Sequence, residues 1–197
     1  MATEIEIKAH VKDRDALRRA LSDKAEYLCA FEKEDCYWIL AKAKEGETRP
    51  PIRVRREKRD FPDETGKESV LVTCKIKERR DGMEINDERE FEVKPAQDFE
   101  QFLSLIGYAP GFVKGKKGWA FSRDGITAEL AEVRGLGWFI ELEILNDTCA
   151  AAQEEFPAGE RKRLLDFLAS LGIERDAIES RYYSEMLEEL RAAGSSV

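Results

Sequence analysis

Ionised side chains in this chain recur at every second position, and each short run tends to carry one sign. Glu4, Glu6 and Lys8 alternate with Ile5 and Ile7. Arg53 and Arg55 alternate with Ile52 and Val54, and Thr73, Lys75 and Lys77 alternate with Val72, Cys74 and Ile76. Glu88, Glu90 and Glu92 stand opposite Phe91 and Val93. Lys114 and Lys116 share a face, and Glu141 and Glu143 sit between Ile140, Leu142 and Ile144. Successive side chains of a strand point to opposite faces, so each segment predicts a strand with one apolar and one charged face. A solvated face usually mixes signs, because like charges opposite one another are unfavourable. Walls of pure cation and pure anion brought together suit a polyphosphate with a divalent ion. The cations neutralise phosphate oxygens, and the carboxylates hold hard Mg²⁺ or Mn²⁺.

Two architectures can hold such strands. In a sandwich the charged faces look outward and are merely solvated. In a closed barrel covered by helices the apolar faces look outward and the charged faces line the bore. The helical segments favour the barrel, since each needs an apolar surface to cover. Asp13 is a predicted N-cap for a helix with Ala16, Leu17, Ala20 and Leu21 as its stripe. A second helix is predicted over Gln97 to Ile106, with Phe99, Phe102, Leu103 and Ile106 at i, i+3, i+4 and i+7. Leu164, Leu165, Leu168 and Leu171 mark a third, ended by Gly172, and Ile178 to Leu190 a fourth. Strand patterns run from Asp35 to about Ala96, then over Phe112 to Phe121, Ile126 to Val133 and Trp138 to Leu145, with a turn at Ser122–Gly125. The order of elements predicts an α+β fold around a mostly antiparallel sheet. It is read as one domain over residues 1–197, with a frayed tail from about 192.

Composition narrows the classes. The chain has 197 residues, 41 acidic and 33 basic, for a net charge of -8, which argues against a general nucleic-acid or anionic-membrane binder. The cysteines, Cys29, Cys36, Cys74 and Cys149, lack C-x-x-C spacing, and His10 is the single histidine, so no zinc site is expected. No signal peptide or long apolar run is read, and the expected location is cytoplasmic.

The ordered segments resemble the CYTH superfamily, the triphosphate tunnel metalloenzymes. Glu4-Ile5-Glu6-Ile7-Lys8 looks like its E-x-E-x-K signature, and Asp35-Cys36-Tyr37-Trp38 like its D-x-Y-F strand. Ile52–Arg55 resembles the R-x-R strand, Val72–Lys75 the T-x-K strand, Glu88–Glu92 the acidic strand and Val113–Lys116 the K-x-R strand with Lys for Arg. Glu132-Val133-Arg134-Gly135-Leu136-Gly137-Trp138-Phe139-Ile140-Glu141-Leu142-Glu143 is similar to the E-V-x-G-L-G-x-F-x-E-x-E run of the class IV adenylyl cyclase-like branch. Ser180–Leu187 resembles that branch's C-terminal S-Y-x-x-L-L.

The resemblance implies a closed, eight-stranded antiparallel barrel with a triphosphate threaded through it. It assigns Lys8, Arg53, Arg55, Lys75, Lys114 and Lys116 to the phosphate oxygens. Glu4, Glu6, Glu141 and Glu143 would hold Mg²⁺ or Mn²⁺, with Glu90 and Glu129 as further candidates. Tyr37 and Lys75 resemble a pair proposed in the hydrolases to orient a water. The implied reaction is that of a class IV adenylyl cyclase, ATP to cyclic AMP and pyrophosphate. The alternatives are hydrolysis of tripolyphosphate or thiamine triphosphate, and a non-catalytic polyphosphate- or nucleotide-binding module. The expected partner is a small-molecule triphosphate rather than a nucleic acid or membrane, and analogy with class IV cyclases suggests a homodimer. Two departures stand out. Ala131 occupies the place of the branch's usual aspartate, and Asn86 that of an arginine. Glu132 cannot stand in for the missing carboxylate, because it points to the opposite face.

Overall fold

The alternating segments fold as eight antiparallel strands. They are β1 (Ala2–His10), β2 (Glu26–Leu40), β3 (Ile52–Asp60), β4 (Lys67–Arg80), β5 (Met83–Glu92), β6 (Tyr108–Arg123), β7 (Ile126–Val133) and β8 (Gly137–Asn146). In this computed structural model, which describes residues 2–42, 49–80, 83–146 and 158–194, they close into a barrel in the order β1-β5-β4-β3-β2-β6-β7-β8. The barrel therefore prevails over the sandwich. Cys149 lies outside the described residues.

Four helices accompany the barrel among the described residues: α1 (Arg14–Lys24), α2 (Ala96–Leu105), α3 (Ala158–Ser170) and α4 (Tyr183–Ala192). Asp13 caps α1 as expected, its carboxylate accepting the Ala16 N–H at 2.9 Å. The main apolar core lies outside the barrel. Ile5 and Ile7 of β1 and Leu130, Ile140 and Leu142 of β7 and β8 pack against Leu17 and Leu21 of α1 and Leu164, Phe167 and Leu168 of α3. The apolar half of β1, β7 and β8 thus packs on α1 and α3, while Ile76, Phe91 and Val113 of the other strands stay exposed, and the charged half faces the bore.

Two boundaries and the burial of one helix differ from the sequence reading. β2 starts at Glu26 rather than near Asp35, because Cys29 and Phe31 are apolar on the inner face and hide the alternation. The last helix starts at Tyr183, and Ile178 instead bridges to Ala9 after a short 3-10 turn, Arg175–Ala177. Only Leu103 of the α2 stripe is buried, against Trp38, Val54 and Val72, while Phe102 and Ile106 are about half exposed. The 3.6-residue period identified the helix, yet the barrel offers it a narrow contact. No helix among the described residues is long and apolar enough to cross a membrane.

Candidate active site

Register decides which charges meet. Across β1 and β8, Glu6 lies opposite Glu143 and Lys8 opposite Glu141, and across β7 and β8, Glu129 lies opposite Glu141. β2 places Lys33 beside Lys116 and Asp35 beside Lys114, with Arg55 on its other side. All of these face inward, and Lys8, Lys114, Lys116 and Glu4 are each buried.

The bore is a chain of ion pairs. Lys75 bridges Glu4 at 2.7 Å and Glu88 at 2.6 Å. Asp35 receives the Arg55 guanidinium through two hydrogen bonds, 2.7 and 3.0 Å, and lies 3.2 Å from the Lys114 ammonium. Burial alone would raise the Asp35 carboxyl, but Arg55 and Lys114 hold it well below the usual carboxylate range. Lys116 binds Glu129 at 2.7 Å and also pairs with Glu141. Against the opposing effect of burial, Lys116 keeps Glu141 at about 2. Lys8 pairs with Glu84. Arg53 donates to Thr73 at 2.8 Å and to Glu90 at 3.2 Å.

Glu6 and Glu143 stand apart from this pairing. Burial, then the neighbouring carboxylates Glu141, Glu84 and Glu4, raise Glu6 to about 8, and burial with Glu4 and Glu6 raises Glu143 to about 8. Two half-buried carboxyls directly opposite each other, with further acids beside them, are poorly tolerated unless protonated or bound to a cation. Their all-oxygen chemistry fits a hard divalent ion, with Glu4 and Glu141 as neighbours. Among the described residues, however, no three acids, histidines or cysteines converge on one point as a ready-formed site.

The predicted residues are therefore largely brought together. Glu90 is the exception among the acids, since it accepts from Thr73 and Arg53 and its side chain is 35% exposed. Glu129 is more central than its position in the motif suggested, held between Lys116 and Lys33. Asn86 is fully buried with its amide 3.5 Å from Glu4. Glu132 points outward to Lys117, as expected. Ala131 joins a small buried apolar cluster with Phe31, Cys29 and Ala120, so the ring of Phe31 packs where the motif would place a carboxylate. Gly118 is wedged between them in the ladder, where a Cβ would come within 2.1 Å of the Leu130 carbonyl oxygen.

Three interior residues escaped sequence reasoning. Lys33, 2.5 Å from Glu129 and 3.8 Å from Glu57, precedes the segment read as strand, and the Glu57 it meets follows the R-x-R motif. Tyr183 reaches in from α4 and donates its hydroxyl to Glu141. Only the S-Y-x-x-L-L likeness pointed at that tyrosine, and it carried no role. An open cavity of about 980 Å³ lies over β2, β3 and β6 between Arg134 and the start of α2, and its lining reaches Lys33, Glu57 and Lys116. Its exposed rim mixes signs, with Arg56, Lys58, Glu32 and Glu132.

No family model matches the sequence, and no curated protein matches it. Solved structures do match. The PH1819 protein of Pyrococcus horikoshii OT3 shares the fold with a TM-score of 0.77 at 25% identity, over 94% of this chain and 98% of its own. A protein of Vibrio parahaemolyticus described as a candidate adenylate cyclase gives 0.69 at 19% identity, over 94% and 97%. HpAC1 of Hippeastrum, described as a candidate adenylyl cyclase with a dominant triphosphatase activity, gives 0.64 at 16% identity, over 100% and 98%. The closed antiparallel barrel is the fold this chain shares with these structures, which is the barrel that the CYTH resemblance implied. The recognition made on the motifs holds at the level of that fold.

Proposed function

We propose that this protein binds a triphosphate inside the barrel together with Mg²⁺ or Mn²⁺ and catalyses a reaction at phosphorus, in the first instance the cyclisation of ATP. The observation that carries this reading is the bore itself. Lys8, Arg53, Arg55, Lys75, Lys114 and Lys116 line it with Glu4, Glu6, Glu141 and Glu143, and among the described residues Glu6 and Glu143 form no ion pair while burial and neighbouring acids raise both. Phosphoryl and nucleotidyl transfer depend on positioning and charge neutralisation more than on covalent chemistry, and such a lining supplies both. Bound at Glu6 and Glu143 with Glu4 and Glu141 alongside, the metal would act as a Lewis acid on the phosphate oxygens. Lys75 and the hydroxyl of Tyr37 would orient the nucleophile. In cyclisation the ribose 3′ oxygen bonds to the α-phosphorus, the bond to pyrophosphate breaks and the hydroxyl proton is released.

Hydrolysis of tripolyphosphate or thiamine triphosphate is the second reading. Ala131 favours it, because a carboxylate typical of the cyclase-like branch is replaced by apolar packing against Phe31. The dominant triphosphatase activity ascribed to HpAC1 also favours it. The deciding experiment incubates the protein with ATP or tripolyphosphate, each with Mg²⁺ or Mn²⁺, and resolves the products. Cyclic AMP with pyrophosphate supports cyclisation, and orthophosphate supports the hydrolase. Binding without either product means a polyphosphate-binding module and overturns the catalytic reading.

A further inference from the structure

The motif residues occupy the middle of the bore and say nothing about where a substrate's non-phosphate part would lie. The inward series on β2 runs Cys29, Phe31, Lys33, Asp35, Tyr37, and on β6 it runs Phe112, Lys114, Lys116. Tyr37 and Phe112 end these series side by side. Their rings stack, with centroids 4.2 Å apart and planes within 9°. The Lys114 ammonium lies 5.8 Å from the Tyr37 ring and 5.1 Å from that of Tyr183, and Lys8 lies 5.4 Å from Tyr183. Tyr183 in turn meets Phe139 edge-on at 5.2 Å. Tyr37 and Tyr183 thus flank the two lysines at one end of the bore, with Phe112 stacked on the first ring and Phe139 edge-on to the second. At the other end of β2 the inward residues are Cys29 and Phe31, closed over by Ala120 and Ala131.

Inorganic triphosphate gains little from such a rim, since its oxygens are hydrated anions and the faces of aromatic rings are negative. A ring joined to a triphosphate gains from both parts, because its plane stacks on the aromatics while its first phosphate meets Lys114 and Lys8. Phe112 and Tyr37 are each only partly buried, so ring surface remains for a third plane. We propose that Phe112, backed by Tyr37, is the stacking platform for the ring of an organic triphosphate, whose phosphate chain runs inward from Lys114. The platform sets substrate class: a triphosphate ester bearing a flat ring, such as a nucleotide or thiamine triphosphate, is preferred over tripolyphosphate. This rests on the reading that the bore holds a triphosphate.

The test compares Phe112→Leu, Phe112→Trp and the wild type for turnover of ATP, thiamine triphosphate and tripolyphosphate with Mg²⁺. Loss of one stacking contact should lower the ratio of kcat/KM for the preferred ring-bearing substrate to that for tripolyphosphate about tenfold, through KM. Phe112→Trp should restore the ratio, and which organic substrate responds identifies the ring. A ratio that stays at the wild-type value in Phe112→Leu overturns the platform, since an equal loss on all substrates means only that Tyr37 or the barrel end has moved. If the wild type turns over nothing, the catalytic reading fails separately. The platform is then decided by thermal shift. It stands if Phe112→Leu weakens stabilisation by ATP or thiamine triphosphate more than stabilisation by tripolyphosphate, and falls if all three weaken alike.

Discussion

The hydroxyl of Tyr183, on the last helix, is donated to Glu141, on the last strand. Burial and the adjacent Glu141 raise the phenol well above its usual range, so it stays protonated and a donor. A helix outside the barrel therefore helps to hold an acid inside it.

Tyr183→Phe should remove this bond while leaving Glu141 paired with Lys116. A hydrogen bond to a charged group contributes roughly 1.5–3 kcal/mol, so Tm should fall by several degrees. Urea denaturation of the two proteins gives the number directly. Identical midpoints would mean that the bond adds nothing to stability.

Lys33 has no place in the recognised motifs, yet it sits 2.5 Å from Glu129 in the interior. Lys33→Met should destabilise strongly, by about 3–5 kcal/mol, because it leaves buried acids short of a countercharge. Adding Glu129→Gln should recover part of that loss. A double-mutant cycle should show coupling of about 1 kcal/mol or more, and additive effects would refute a direct pairing.

The pH profile of the metal-free protein should be governed by Glu6 and Glu143. Both are held at about 8, above the ordinary carboxyl value of 4.5, so the native state retains protons that the unfolded chain has lost. Their contribution is greatest below about pH 4.5 and is lost as pH rises towards 8. Glu141, held at about 2, acts in the opposite sense, its stabilisation being lost as pH falls from about 4.5 towards 2. Tm measured in EDTA should fall as pH rises from about 5 to about 8. Mg²⁺ should flatten that limb and release protons on binding, detectable by calorimetry in buffers of different ionisation enthalpy. A flat alkaline limb without metal would contradict the arrangement.

The two faces of α2 make a sharper contrast than its sequence pattern suggests. Leu103→Ala should cost about 2–5 kcal/mol, as expected for a fully buried leucine. Phe102→Ser, at a position about half exposed, should change stability far less. Comparable losses at both sites, seen by chemical denaturation, would show that Phe102 is covered in solution.

Much of this was legible because a barrel strand writes its two faces into alternate residues. Glu4, Glu6, Lys75 and Glu141 were found that way, as was the direction in which they point. What alternation cannot give is the neighbour across the ladder. Nothing in the sequence places Lys33 against Glu129, 96 positions later, or tells Glu90, tied to Arg53, from Glu129, tied to Lys116. The beginning of β2 was missed for a related reason: Cys29 and Phe31 make its inner face apolar just where the apolar cluster with Ala131 forms. The exposure of α2 depends on how much barrel surface is left for it, which no local period encodes.

Closure of the barrel also dictates when the site can exist. β1 pairs with β5 on one side and with β8 on the other. A ribosome must therefore deliver most of the chain before the first strand finds its second neighbour. Contacts this distant in sequence make for slow folding. Until that seam is sewn, β1 and β8 each present an unpaired edge that can recruit another chain. Glu6 and Glu143 face each other across the same seam. The two acids that most need a cation therefore meet only when the first strand has found the last.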